Sequence, residues 1–308
     1  MDKTESRLKS VRLAMICEDL SPEMGGQAVS IPLLGEHLEK IGVKVKYFSG
    51  VNSIGYGKAK SNETHVYFRY FHSKFKWSID LFHQLWKHRD DIDVLHLNNL
   101  WNFVPITAYF FAKFTNTPFV ISPRGMAIKE EIDRRRLKKL LLKFMFRRIL
   151  NQASFIHVTS EGEAQSLEAL GISTDILRVG HGVKSPIPSP DFVELNEIRA
   201  KKRFILFSGR VCRYKNLHQL IEAFWIFSKC NPDWELFIVG PIEDSIYFDE
   251  MNVMLNKKNL LSKVKFFGHK NSVELEQYYC NASIFANVSH SENFGLSIAE
   301  ALSYGVPC

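Results

Sequence analysis

The chain is expected to be an α/β protein built of two doubly wound, Rossmann-like domains facing a cleft, the second domain incomplete. Three observations predict this. Short apolar runs alternate with amphipathic segments of helical length along almost the whole sequence. A stretch dense in proline, Lys184-Ser185-Pro186-Ile187-Pro188-Ser189-Pro190, interrupts the alternation and reads as a stiff connector. Beyond it the alternation restarts in the same rhythm. With 308 residues, 45% hydrophobic and 24% charged, the chain can bury two cores.

In the first half, strands are predicted at Val11 to Cys17, Val43 to Phe48, His65 to Tyr70, Val94 to Asn98, Phe119 to Ser122, Phe155 to Thr159 and Ile176 to Val179. Helices fall at Gln27 to Ile41, Pro105 to Thr115 and Glu161 to Leu170, the last stopped by Gly171, with an amphipathic stretch around Trp77 to His88. In the second half, strands Phe204 to Phe207, Glu235 to Val239, Val264 to Phe267 and Ile284 to Val288 alternate with helices Asn216 to Lys229, Tyr247 to Asn259, Val273 to Tyr279 and Phe294 to Tyr304. The domain boundaries expected are 1–183, a connector over 184–201, and 202–308.

Composition narrows the function classes. The start, Met1 to Val11, is polar and charged, and no run reaches the ~20 apolar residues of a membrane span, so neither a leader nor a membrane helix is expected. Five scattered cysteines, without a short paired spacing, point to reduced thiols in a cytoplasmic protein. The net charge of +7 concentrates between Lys129 and Arg148, where nine basic residues face three acidic ones and apolar residues recur every three or four positions. This basic amphipathic helix, 129–148, is either a core stripe with a solvated face or a docking surface for an anionic membrane, which would make the protein peripheral on the inner face of the membrane. No nucleic-acid module accompanies it, and nucleic acid is not an expected partner.

The chemistry concentrates in the second half. Glu292 and Glu300 lie eight positions apart, on either side of the start of a helix that follows an apolar strand. The first amides of such a helix are unpaired donors and favour an anion, which together with the two carboxylates suggests a phosphate-bearing ligand with hydroxyls. Upstream, the strand Phe204 to Phe207 leads through Ser208 and Gly209 to Arg210-Val211-Cys212-Arg213-Tyr214-Lys215. Arg210 and Lys215 thus occupy the turn at a strand's carboxyl end, where open parallel sheets bind ligands.

These two motifs, in this order, resemble those of the retaining glycosyltransferases of family 4, which have the two-domain GT-B fold; the resemblance covers nearly the whole chain. It implies that Arg210 and Lys215 grip the diphosphate of a nucleotide-sugar donor, that Glu292 contacts the donor sugar and Glu300 the ribose, and that the amides of Asn293, Phe294 and Gly295 meet sugar and phosphate. It implies no metal and no cofactor beyond the nucleotide-diphosphate sugar as co-substrate, the cationic pair standing in for a metal. The acceptor it implies is a glycan or lipid-linked molecule of surface polysaccharide assembly. The family also has further elements after the equivalent of Gly305-Val306-Pro307-Cys308, so the second domain is expected to be truncated or completed by another polypeptide. Two alternatives stay open: an inactive remnant or binding subunit, and a sugar-nucleotide epimerase of the same architecture.

Weaker candidates lie in the first half. Gly25 and Gly26, after Met24, open a helix; they form a plain tight turn or, as the resemblance implies, a loop over the donor phosphates or facing the acceptor. His96 is expected to be a core residue. Asn98 could hydrogen-bond a sugar hydroxyl where many relatives carry histidine, and Arg124, in Ser122-Pro123-Arg124-Gly125-Met126, is a candidate acceptor or phosphate contact. Asp91-Ile92-Asp93 is read as a helix-to-strand corner rather than a metal site.

Overall fold

Runs such as Phe119-Val120-Ile121-Ser122, in which all four residues are buried, suit strands covered on both faces, as parallel sheets require. The computed structural model describes residues 11–21, 25–51, 60–71, 75–128, 144–184, 203–290 and 292–308. It contains two units, Met1–Gly182 and Val183–Cys308.

The first unit carries β1 (Arg12–Cys17), α1 (Gly26–Lys40), β2 (Lys44–Val51), β3 (His65–Arg69), α2 (Ile79–Lys87), β4 (Val94–Asn98), α3 (Phe103–Thr115), β5 (Phe119–Ser122), β6 (Phe155–Val158), α4 (Glu161–Ala169) and β7 (Ile176–Arg178). The strands form one parallel sheet in the order β3-β2-β1-β4-β5-β6-β7. The order reverses between β1 and β4, the position at which such sheets open a crevice at their carboxyl ends. Sequence signals set the helix starts. Ser78, Asn102 and Ser160 each accept a hydrogen bond from an amide of the first turn of α2, α3 and α4. Asn102 explains why α3 begins two residues before the expected Pro105. Ile16, Phe48, Leu95, Leu97, Phe111 and Ile121 are fully buried in or on this sheet.

The second unit carries β8 (Phe204–Ser208), α5 (Leu217–Cys230), β9 (Glu235–Val239), α6 (Ser245–Lys257), β10 (Val264–Phe266), α7 (Ser272–Asn281), β11 (Ile284–Phe285) and α8 (Leu296–Ser303). Its parallel sheet runs β10-β9-β8-β11, so its reversal lies between β8 and β11. Asn271 and Glu274 form a reciprocal capping box at the start of α7. β11 and α8 are the expected elements most shortened. β11 ends at Phe285 instead of Val288, because Asn287 turns the chain by accepting from the amide of Ser289 at 3.0 Å. α8 starts at Leu296 rather than Phe294, because Gly295 is left-handed at φ 79° and cannot be helical.

Part of the basic segment and residues 185–190 of the proline-rich stretch lie outside the described residues. Of 129–148, only residues from 144 onward are described. Residues 144–150 are helical, with Phe146 and Ile149 buried and Phe144, Arg147 and Arg148 exposed. No described helix is long and apolar enough to cross a membrane.

Three glycines set the carboxyl edge of the second sheet. The Gly209 amide donates to Val239 O at 2.9 Å, and the Gly240 amide donates to Gly268 O at 2.8 Å. Gly240 has φ 147°, and a Cβ there would lie 1.9 Å from Gly209 O. The residue after Gly209 is Arg210, so this backbone contact fixes where the arginine leaves the sheet. Gly240→Ala is expected to destabilise the protein by about 1–3 kcal/mol in urea denaturation followed by circular dichroism; wild-type stability would show that the two strand ends can separate freely.

Candidate functional site

The second unit brings three of the predicted residues together at the reversal of its sheet. After Gly209 the chain runs through Arg210 into a 3-10 turn, Arg213–Lys215, that ends at left-handed Asn216 before α5. The loop after β11 meets it: the His290 amide donates to Tyr214 O at 3.0 Å. Lys215 Nζ donates to Glu292 Oε1 at 2.5 Å. That oxygen also accepts from Ser289 Oγ at 2.8 Å and Asn287 Nδ2 at 3.1 Å. Burial pushes the Glu292 carboxyl up, but Lys215 and these hydrogen bonds outweigh it and hold it below the ordinary range. Glu292 is therefore a carboxylate near neutral pH, an acceptor rather than an acid.

Arg210 lies on the other side of Tyr214. Its guanidinium donates to Tyr214 Oη at 2.5 Å and pairs with Glu243 at 3.0 Å. The Arg210 guanidinium and the Lys215 ammonium stand 5.5 and 5.3 Å from the Tyr214 ring centre, so one aromatic ring spaces the two cations. Burial pushes the Tyr214 phenol up to about 12, against the opposing pull of Arg210; it stays neutral and accepts the guanidinium hydrogen bond. Arg210 is 45% exposed at its side chain and Lys215 13%, which leaves the planar fork open and the ammonium held.

Glu300 lies in the second turn of α8, as the spacing predicts. One of its oxygens accepts from Tyr279 Oη at 2.8 Å. Burial raises its carboxyl above the ordinary value, and the tyrosine only partly offsets this. Of the amides expected to meet an anion, Gly295 is the N-cap of α8, and Asn293 and Phe294 lie in the turn before it. The first-turn donors left without a helical acceptor belong to Leu296 and Ser297, since the Ile298 amide already donates to Gly295 O at 2.9 Å.

The candidates of the first unit separate into two places. Gly25, at φ 64° with open space where a Cβ would be, is the N-cap of α1, and Gly26 is its first residue; Met24 lies outside the described residues. Asn98 and Arg124 are in contact, Arg124 Nε donating to Asn98 Oδ1 at 3.0 Å. Asn98, 1% exposed, also donates to Ile16 O and His96 O at 3.2 Å. Its polar atoms are thus committed inside the protein, where it positions Arg124. His96 is a satisfied interior residue, 2.7 Å from Ser122 Oγ. Asp93 is held by Arg12 through the side chain at 3.0 and 2.6 Å, and Asp91 ends a single 3-10 turn, a corner as expected. Among the described residues no group of acidic, histidine or cysteine side chains could hold a metal ion.

Sequence reasoning missed several members. Tyr214 lies inside the Arg210–Lys215 motif and was available from its spacing. Ser289 and Asn287 stand three and five residues before Glu292 in the same loop and were within its local reach, whereas Tyr279 and Glu243 carried no local signal, because only the fold brings them to the site. In the first unit, Glu18 after β1 pairs with Lys76 at 2.7 Å, both nearly buried, and accepts from Asn102 at 2.7 Å. Lys76, Asn99 and Trp101 have φ of 50°, 76° and 63°. Backbone strain gathered beside the first sheet's reversal is typical of a built site.

Comparison with known proteins follows the same division. The profile of Glycosyltransferase Family 4 matches residues 24–184, and that of Glycosyl transferases group 1 matches residues 190–308. The chain is 26% identical over 238 residues to the D-rhamnosyltransferase WbpZ of Pseudomonas aeruginosa, covering 75% of this chain and 58% of that protein. It is 22% identical over 161 residues to the lipopolysaccharide 1,6-galactosyltransferase of Salmonella typhimurium, covering 52% and 43%. The chain therefore spans about half the length of these curated relatives. Among solved structures, Anabaena Alr3699/HepE in complex with UDP and glucose superposes with a TM-score of 0.73 at 15% identity, covering 96% of this chain and 79% of that one. The sucrose-phosphate synthase from Thermosynechococcus elongatus gives 0.75 at 18%, covering 96% and 80%. At such identities the likeness shows the fold, two Rossmann-like domains of the GT-B type.

Two carboxylates shifted in opposite directions give a pH test. Glu292, held low, contributes stability above its ordinary range that is lost as pH falls through its folded value. Glu300, held high, does the reverse: its charge costs stability once pH rises through its folded value. Glu300→Gln is therefore expected to raise Tm at pH 7, with the advantage shrinking toward pH ~4.3. An unchanged or lower Tm at pH 7 would remove the cost assigned to this charge.

Proposed function

Because the chain belongs to glycosyltransferase family 4, we propose that it is a retaining glycosyltransferase, moving a sugar from a nucleotide-diphosphate sugar to a glycan or lipid-linked acceptor of surface polysaccharide. The observation that carries this reading is the convergence of Arg210, Lys215 and Glu292 around Tyr214, at the carboxyl ends of β8 and β11. The names of the relatives, a rhamnosyltransferase and a lipopolysaccharide galactosyltransferase, support the acceptor class. The solved relative holding UDP and glucose supports a nucleotide-sugar donor.

In this reading the bond between the anomeric carbon and the diphosphate oxygen breaks with its electrons leaving on the diphosphate. Arg210 offers two N–H groups to the phosphate oxygens, and Lys215 a single point charge. One unit charge at ~4 Å interacts by roughly 4 kcal/mol at an effective dielectric near 20, enough after desolvation for about a hundredfold in rate. Glu292, kept ionised by Lys215, accepts hydroxyls of the donor sugar and sets its orientation. Glu300 takes the ribose hydroxyls with the oxygen that Tyr279 leaves open. The acceptor hydroxyl attacks the face from which the phosphate departs, and the departing phosphate oxygen takes its proton, so configuration is retained without an enzymic nucleophile. The amphipathic basic segment 129–148 is proposed to hold the protein at an anionic membrane surface on the cytoplasmic side, near a lipid-linked acceptor.

Lys215→Ala is expected to lower transfer from the matching nucleotide sugar ~10²-fold or more, with circular dichroism unchanged. Near-wild-type turnover in the folded variant would refute the role given to Lys215. Binding of a nucleoside diphosphate without any transfer, across a panel of donors and acceptors, would turn the reading to a binding subunit.

A further inference from the structure

The turn after β5 buries a cation that makes no ion pair among the described residues. Pro123 carries the chain off the strand, and Arg124 and Gly125 are both left-handed, at φ 57° and 85°. An arginine rarely adopts that conformation; here it turns the side chain inward until it is 8% exposed. Nε donates to Asn98 Oδ1 at 3.0 Å, and Nη1 lies 3.4 Å from His181 Nδ1. Nη2 is buried without a hydrogen-bond partner among the described residues. Both acceptors are neutral. Glu163 of α4, the carboxylate whose field reaches Arg124, makes no ion pair with it: its Oε1 accepts from the amides of Gly125 at 2.6 Å and Ala127 at 3.5 Å. A buried guanidinium left to neutral acceptors is costly unless an anion arrives to pair with it.

The groups that face it from the surrounding elements are set for such an arrival. They are Cys17 of β1, His96 of β4, His157 of β6, Glu163 of α4 and His181 beyond β7. His157 Nε2 lies 2.9 Å from Val179 O and must donate to it, so its Nδ1 accepts from Ser122 Oγ, which in turn accepts from His96 Nε2. The three histidines are neutral. Burial lowers each of them and Arg124 lowers each further, His181 to about 4. Burial alone pushes the Cys17 thiol up to about 12, against Arg124. His181, only partly buried, is flanked by Gly180 and Gly182 and can be set aside from Nη1.

We propose that Arg124 is the receptor for an oxyanion of the acceptor, a carboxylate or a phosphate group, taken on Nη1 and Nη2 in place of His181. Assigning the anion to the acceptor rests on the glycosyltransferase reading; the anion site itself does not. An anion cancels the field that Arg124 imposes on the histidines, so binding draws protons onto them and tightens as pH falls.

The test is calorimetric titration of the full chain carrying Arg210→Ala and Lys215→Ala, which removes the two cations of the second unit's site. Sulfate, doubly charged throughout the range, probes a tetrahedral oxyanion; glucuronate probes a sugar carboxylate, with glucose as the uncharged control. At least one is expected to bind, with affinity rising about threefold or more from pH 7.5 to 5.5, and the better probe names the group. Arg124→Gln should weaken it about tenfold or more, and His181→Ala should tighten it at pH 7.5 and flatten the pH dependence. The proposal is overturned if a folded chain binds neither probe, if Arg124→Gln retains binding, or if affinity is independent of pH. Should Arg124→Gln fail to fold, unchanged affinity in His181→Ala overturns it. Nucleoside-diphosphate binding to the chain with Arg210 and Lys215 intact tests the donor reading separately, so either can fail alone.

Discussion

The ion pair between Lys215 and Glu292 joins residues 77 positions apart in sequence, and the geometry of the second unit's site depends on it. Lys215 closes the turn after β8, and Glu292 stands in the loop after β11. These two strands are neighbours only because the sheet order reverses between them. The pair fixes the ionisation of the carboxylate, and Ser289 and Asn287 fix its direction. Tyr214 then sets the spacing to Arg210. Each member has neighbours that are rigid for their own reasons, which is how a site on loops acquires the precision of one on strands.

Behind these loops the backbone carries the constraint. Gly240 lets its strand end approach Gly209 more closely than a side chain permits, and Arg210 leaves the sheet from that edge. The first unit handles its own edge differently. There, buried charge and left-handed non-glycine residues gather around Glu18, Lys76 and Arg124. That is polar strain in place of small residues, and in proteins of marginal stability it persists where function requires it.

The fold was legible because a parallel sheet writes itself in short apolar runs, and β4, β5 and β9 have the predicted bounds. The ends of β11 and α8 were not, since they turn on the Asn287 hydrogen bond and the φ of Gly295, which no periodicity reports. Within the second unit's site, charged residues at strand ends were readable and their distant partners were not. Tyr279 reaches Glu300 from another helix, and nothing near it in sequence marks it. Asn98 shows the opposite limit. Its strand-end position was correct, but its amide is spent on main-chain carbonyls and on Arg124, a competition visible only in three dimensions.

The cations of the second unit's site are already partnered, Lys215 by Glu292 and Arg210 by Glu243 and Tyr214. A ligand must therefore compete with neighbours instead of falling onto bare charge. Inorganic phosphate, abundant in any cell, offers two oxygens and nothing to compensate the displaced carboxylate. A ligand bearing hydroxyls as well as phosphates repays Glu292 at the moment it draws Lys215 away. Under the proposed function, the self-neutralised resting arrangement is a filter that discriminates against simple anions before any contact with a base or sugar is made.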